Sequence, residues 1–400
     1  VSRRALAVAL LAGTLATPAR RVHASLAGAL HQFIAERTLF LFRSEPVAEP
    51  LTDIVERQAL RGIEFPATAT APGFTYTFNP EFGTFERSSG SLGPLFDERA
   101  DTVGRGRLAV GASYLHADLT DEDGENFGRK IVFGVAASID GAPAASAFAG
   151  RRFSLVTDLV SFSGTYGLTD RWDVNALVPL ADTALHLSGF AGGAVGVASN
   201  LVVAPAAFDA RAFGLGDVLL RSKYRFRDTG IALAGELEVR LPTGNERNFQ
   251  GLGVLTCSPL LVATRTWGRQ EVHANVGTEI VPGDLDRSSA RYAVGAVLAP
   301  LDRLAFLVDV LGSSTFVSDT FAIPTAGQVV PAVLPTAFVK AVRPGEIVAY
   351  VPRADLVNLS LGAKLDLFGT LVAFADVLLP ITSDGLRAAV IPVGGIEYTF

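Results

Sequence analysis

The sequence predicts an all-β chain: a transmembrane antiparallel β-barrel of twelve strands, with fourteen as the alternative count, behind an N-terminal plug or periplasmic segment. Three observations predict it. From about residue 106 onward, runs of ten to sixteen residues alternate apolar and polar side chains, which is the period of a strand and not of a helix. The connections between runs alternate strictly between short and long, as in outer-membrane barrels whose short turns face the periplasm. Finally, 18% of residues are charged and 49% hydrophobic, yet beyond the N-terminus no run of about 18 strongly apolar residues would make a membrane helix.

Taken in order, residues 1–24 carry the marks of an export signal. Arg3 and Arg4 precede the apolar core "ALAVALLAGTLA", and "VHA" ends at Ala24, the expected cleavage site, with Ala19 as second choice. "SRRAL" also fits a twin-arginine signal faintly, but an ordinary positive n-region explains it. Residues 25–105 lack the long alternating runs of the barrel region. "SLAGALHQFIAERTLFLF" places Leu26, Leu30, Phe33 and Ile34 on one helical face, four prolines punctuate the middle, "FTYTFNPEFGTFE" reads as a small hairpin, and "SLGPLFDERADTVGRGR" closes the segment. It is too polar and broken for a lipid-facing wall, hence the plug or cap expectation.

The barrel proper is expected over 106–400. Twelve runs fall at 106–120, 153–168, 171–187, 214–227, 231–242, 253–266, 270–281, 290–299, 304–314, 356–367, 370–380 and 388–400. In 357–367, Val357, Leu359, Leu361, Ala363, Leu365 and Leu367 share one face and Asn358, Ser360, Gly362, Lys364 and Asp366 the other. "KIVFGVAASI" at 130–139 and "FTYTF" at 74–78 would supply the two further strands of the fourteen-strand alternative. A soluble β-sandwich also alternates, but it calls for polar outer faces, whereas here long apolar rows oppose charged ones. Tyr166, Trp172 and Trp267 sit beside short turns and Tyr398 and Phe400 end the last run at that level, where ring edges meet headgroups. Their alternative role is packing of turn aromatics against a core.

The sharpest local constellation is a candidate lumen charge ladder of Arg221, Lys223 and Arg225 beside Glu236, Glu238 and Arg240. A four-residue connection sets Lys223 opposite Glu236 and Arg221 opposite Glu238, while a two-residue one sets Arg221 opposite Glu236; either register pairs opposite charges. Such a ladder could guide solutes or anchor a plug, or simply line a wet wall. Other motifs carry less. "LPTGNERNFQGLG" at 241–253 lacks a phosphate-loop lysine and reads as a hairpin loop. Asp121, Glu122 and Asp123 beside Gly124 do not match calcium-loop spacing. His186 and Ser188, or His273 and Asn275, share strand faces but lie in no hydrolase signature, and the five histidines show no metal-ligand spacing. The single Cys257 reads as a small strand residue. No enzyme, cofactor or metal is expected, and a net charge of −6 leaves no basic footprint for nucleic acid. The long connections 188–208 and 321–339 are unusually apolar, suiting either a folded cover over the mouth or a greasy entry site.

"GLGDVLLRSKYRF" (214–226), "ALAGELEVRLPTGNERNFQGLG" (232–253) and "SGTYGLTDRWDVNALVPL" (163–180) resemble the outer-membrane barrels of the MetA-pathway of phenol degradation family. The resemblance covers most of 150–400. It implies kinship with the long-chain fatty-acid channels, whose N-terminal hatch matches the plug expectation, and brings no catalytic or ligand residues. The expectation is a channel in the outer membrane of a Gram-negative-type bacterium, passing small hydrophobic compounds, aromatic ones as the narrower reading. The alternative is a structural or surface-interaction barrel without an open path. Its expected partners are the lipid bilayer, the barrel assembly machinery and a small hydrophobic solute. The closing "VGGIEYTF" is similar to the C-terminal signal that such machinery recognises.

Overall fold

The computed structural model describes residues 25–30, 76–79, 84–87, 92–122, 125–126, 131–139, 142–195, 202–324, 339–343, 346–351 and 353–400. Within them, twelve strands close into one antiparallel barrel. They are β1 (Leu108–Glu122), β2 (Ala142–Thr169), β3 (Trp172–Val195), β4 in two pieces (Val202–Leu215 and Val218–Arg227), β5 (Ala232–Leu241), β6 (Thr256–Trp267), β7 (Gln270–Glu279), β8 (Ser289–Leu301), β9 (Leu304–Thr315), β10 (Asp355–Asp366), β11 (Leu371–Pro380) and β12 (Ile391–Thr399). Each pairs with its sequence neighbour, and β1 pairs with both β2 and β12. Closure runs from Val393 opposite Leu115 down to Thr399 opposite Ala109, and the Phe400 amide donates to the Leu108 carbonyl at 2.8 Å. No barrel edge is left to face lipid, where an unpaired peptide group would cost several kcal/mol.

The faces follow the alternation. Leu220, Tyr224 and Phe226 of β4 are exposed while Arg221 and Lys223 are buried. On β5, Leu237 is exposed between the buried Glu236 and Glu238. The outward row is apolar through the middle of the wall and ends at the top in charges. Asp182 of β3 accepts from Arg211 Nε at 2.7 Å, and Asp158 of β2 accepts from the Tyr114 hydroxyl at 2.5 Å and lies 2.8 Å from His116 Nδ1. Asp158 stands eight residues from the outward Tyr166, about 26 Å along the strand at ~3.3 Å per residue. At the usual tilt this is roughly 20 Å of bilayer, near the ~25 Å apolar band of such barrels.

Twelve strands, not fourteen, form the wall. Ile131–Ile139 is a strand, but it pairs only with Ala142–Gly150, the top of β2, and so extends a hairpin above the barrel. Tyr76–Asn79 pairs with Thr84–Arg87 in a separate hairpin. The apolar stretch 188–208 also differs from a loop: β3 runs to Val195 and β4 starts at Val202, with Gly193 opposite Val202. A strand needs only about 9–11 residues to cross a bilayer, so the 28 residues of β2 and 24 of β3 stand well above it. In 315–355 a three-stranded sheet forms from Asp319–Pro324, Val339–Arg343 and Glu346–Val351. The expected export signal at 1–24, the helical-face residues Phe33 and Ile34, and the stretches 196–201 and 325–338 lie outside the described residues.

Outward and inward faces make opposite demands on charge. Val294 is 59% exposed at mid-wall, between Ala274 and Val310. Val294→Arg is expected to destabilise the membrane-inserted barrel by about 2–4 kcal/mol, read as a lower urea midpoint for folding into lipid vesicles.

Candidate functional site

Residues 92–107 run through the inside of the barrel, and the inward side chains hold them there. Leu92, Leu95, Asp97, Arg99, Ala100, Thr102 and Val103 are all buried. The wall satisfies this segment's backbone in place of a regular element: the Ala100 amide donates to Thr264 Oγ1 at 2.9 Å and the Val103 amide to Asp173 Oδ2 at 2.9 Å. Lys364 Nζ donates to the Leu92 carbonyl at 3.2 Å and to that of Pro94. The segment then turns at Gly104 and Gly106, whose φ of 95° and 72° suit glycine. The Gly106 amide donates to the Gly167 carbonyl at 2.8 Å, and β1 starts upward from there. Gly167 is required: a Cβ on it would lie 1.9 Å from the Gly104 carbonyl oxygen.

The ladder residues come together, and the register sets Glu236 opposite Lys223 and Glu238 opposite Arg221. Arg221 Nε lies 2.6 Å from Glu238 Oε2 and 3.9 Å from Glu236 Oε1, while Arg291 of β8 reaches Glu238 Oε1 at 2.7 Å. The other cations turn inward. Lys223 Nζ pairs with Glu98 Oε2 at 2.9 Å and donates to the Arg99 carbonyl at 3.0 Å, and Arg225 Nη1 pairs with Asp101 Oδ1 at 3.0 Å. Arg240 is buried on the same face. The ladder is therefore half wall and half handhold, with Glu98 and Asp101 the partners that wall-centred reasoning missed. Their signal was the dense run "DERAD" in an otherwise weakly charged chain.

The remaining polar candidates lie elsewhere. His186 faces Asp209 at 2.7 Å on the outer face. Asp121 and Glu122 continue β1 and pair with Arg387 and Leu386. The aromatic candidates are all on the outer surface near the short turns: Tyr166, Trp172, Trp267, Tyr398 and Phe400 are exposed. Trp172 Nε1 donates to Ser222 Oγ at 2.9 Å, and the Tyr398 and Phe400 rings meet edge to face at 4.6 Å.

A different chemistry lines the rest of the lumen. Leu115 and Leu119 of β1, Phe153 and Leu155 of β2, Leu185 and Leu187 of β3, and Ile391 and Val393 of β12 turn inward and are buried in one apolar cluster. Phe249 and Leu252 from the β5–β6 connection join it, as do Leu26 and Leu30 from the helical turn at 26–30, whose Leu26 amide donates to Asn248 Oδ1 at 3.1 Å. Val297 of β8, Leu307 and Leu311 of β9 and Leu378 of β11 belong to the same cluster, so the apolar lining runs from β8 and β9 through β11 and β12 to β3, while the ladder ion pairs gather on β4, β5 and Arg291 of β8. Between them, a cavity of about 50 Å³ is bounded by Glu98, Arg221, Glu236, Glu238, Asn275 and Arg291. That is room for a few waters.

The family comparison agrees with the fold. Residues 120–298 match the model of the family described as the MetA-pathway of phenol degradation. No curated protein matches the chain. Among solved structures, an outer membrane channel from Pseudomonas putida F1 is 13% identical, with a TM-score of 0.46 over 75% of this chain and 98% of that one. A Pseudomonas aeruginosa FadL homologue is 10% identical, at 0.34 over 74% and 90%. The P. putida toluene transporter TodX is 11% identical, at 0.33 over 74% and 89%.

Removing one partner of a buried pair costs about 3–5 kcal/mol because the other charge is stranded. Lys223→Ala is expected to raise the population with residues 92–107 released by at least about a hundredfold. Trypsin cleavage at the buried Arg99 measures it, while heat-modifiable gel migration reports an intact wall.

Proposed function

We propose that this chain is an outer-membrane channel for small hydrophobic compounds, with residues 92–107 acting as its plug. The observation that carries the reading is the apolar inner surface built from β12, β1, β2 and β3. A channel for hydrophilic solutes lines its lumen with polar groups, whereas these strands turn leucine, phenylalanine and valine toward the inside as well as the outside. Those side chains are packed against Leu26, Leu30, Phe249 and Leu252, so an apolar solute entering from the long-loop end takes the place of these residues and gains roughly 25 cal/mol per Å² of its own surface buried. The match of residues 120–298 to the phenol-degradation family supports the same solute class.

Transit then depends on the plug. With residues 92–107 in place the cavity beside the ladder holds a few waters and no aromatic ring, so passage along that side of the lumen requires this segment to shift. Its attachment is suited to that: between the apolar anchors Leu92 and Leu95 and the backbone bonds to Gly167, it is held by ion pairs and hydrogen bonds to side chains and not by a strand ladder, so these polar contacts can be exchanged for water. Diffusion down a gradient suffices, and no group for coupling to nucleotide hydrolysis is required.

Flux through liposomes carrying the purified barrel tests the reading. A toluene-sized apolar probe is expected to cross faster than through empty liposomes, a sugar of similar size is not, and Lys223→Ala is expected to raise the apolar flux severalfold. Equal flux of both probes would indicate a general pore. Flux no greater than in empty liposomes, in the parent and in Lys223→Ala, would favour a structural barrel.

A further inference from the structure

One cluster is used neither by the ladder nor by the apolar surface. His273 of β7, Gly295 of β8 and Asp309 of β9 stand side by side on the inner wall, His273 paired with Gly295 and Gly295 with Asp309. Asp97 of the plug segment comes down on this row. His273 Nε2 lies 3.1 Å from Asp309 Oδ1 and 3.3 Å from Asp97 Oδ2, and all three side chains are buried. One ring nitrogen thus faces two carboxylates, although a single N–H can point well at only one of them.

The polar bookkeeping around the row is incomplete. Among the described residues Asp97 Oδ1, Asp309 Oδ2 and both oxygens of Glu271, which is 1% exposed on the same face of β7, accept no hydrogen bond, and Asp97 Oδ2 has only the His273 ring nitrogen it shares with Asp309. Buried carboxylates in this condition are normally paired or bind a cation. Gly295 lets the two side chains meet over its backbone: a Cβ there would lie 1.9 Å from Asp309 Oδ1 and 2.4 Å from His273 Nε2.

We propose that Asp97, His273 and Asp309 bind a divalent first-row transition-metal ion that ties the plug segment to the barrel wall. The three ligand atoms lie within 4.8 Å of one another. Tetrahedral zinc with bonds of about 2.0–2.1 Å sets its ligand atoms roughly 3.3–3.4 Å apart, close to the two separations from His273 Nε2. A nitrogen donor with two carboxylates selects a zinc-like ion over calcium, which takes six to eight oxygens. Glu271 Oε1, 3.9 Å from His273 Nδ1, is the carboxylate that would close in to accept a hydrogen bond from Nδ1–H, holding the proton there and leaving the Nε2 lone pair for the metal. Two ligands belong to the wall and one to the plug, so the ion would be a cross-link that a chelator or a change in metal supply could open.

Metal binding to the tag-free, full-length barrel tests this independently of transport. After chelator treatment, zinc titrated by calorimetry is expected to bind stoichiometrically, and cobalt in its place to show the visible absorption of a low-coordinate site. Both signals should vanish in His273→Ala, and Glu271→Gln should weaken zinc binding by about 10–100-fold. Asp97→Asn changes the plug and not the wall, so it serves if His273→Ala does not fold by heat-modifiable migration. It is expected to abolish the cobalt spectrum. No stoichiometric zinc in the parent, or unchanged uptake in Asp97→Asn, overturns the site.

Discussion

Every peptide group of the wall that faces hydrocarbon has to find its partner within the wall, and the rest of the structure depends on that constraint. It forces twelve strands to close, with β12 against β1 and the Phe400 amide on the Leu108 carbonyl. It also explains why an irregular segment such as 92–107 can sit at membrane depth: it lies inside, where wall side chains replace water as partners. The Ala100 and Val103 amides find Thr264 and Asp173. Closure thus creates the interior, and the interior then needs groups able to satisfy an unpaired backbone.

That need divides the lumen. On β4 and β5 the inward charges serve the 92–107 segment and one another, as Lys223 does with Glu98 and Arg221 with Glu238. On β12 to β3, toward the long-loop end, the wall meets the side chains of Leu26, Leu30, Phe249 and Leu252, and Leu115, Leu119, Leu155 and Leu185 turn inward instead. Strand alternation normally assigns apolar residues to lipid and polar ones to the lumen. The second sector departs from the rule, and that departure is what makes a hydrophobic solute the reading with a physical basis.

The wall was legible in the sequence because each strand repeats a two-residue code whose sign is set by lipid, and because short turns alternate with long connections. The Lys223–Glu236 and Arg221–Glu238 juxtapositions were legible for the same reason, once the length of the 228–231 connection was allowed for. What strand periodicity could not reveal is contact between parts of the chain that no ladder connects. Glu98 and Lys223 are 125 residues apart, and nothing local marks them as a pair. His273, unremarkable by spacing, gains its meaning from Asp309 two strands away and Asp97 on a separate segment. The apolar connections misled in the other direction: stretches such as 188–195 read as loop because they exceed what a bilayer needs, whereas continued pairing carries the strands above it.

The central claim is that the charged sector of the wall holds residues 92–107 inside the closed barrel. Native-state hydrogen exchange on the purified barrel tests it most directly. The Ala100, Val103 and Gly106 amides are expected to exchange on the slow timescale of the β4 and β5 amides, and to become fast in Lys223→Ala while those strands stay protected. Exchange of 92–107 in the parent protein at the rate of a free, solvated chain would contradict the account.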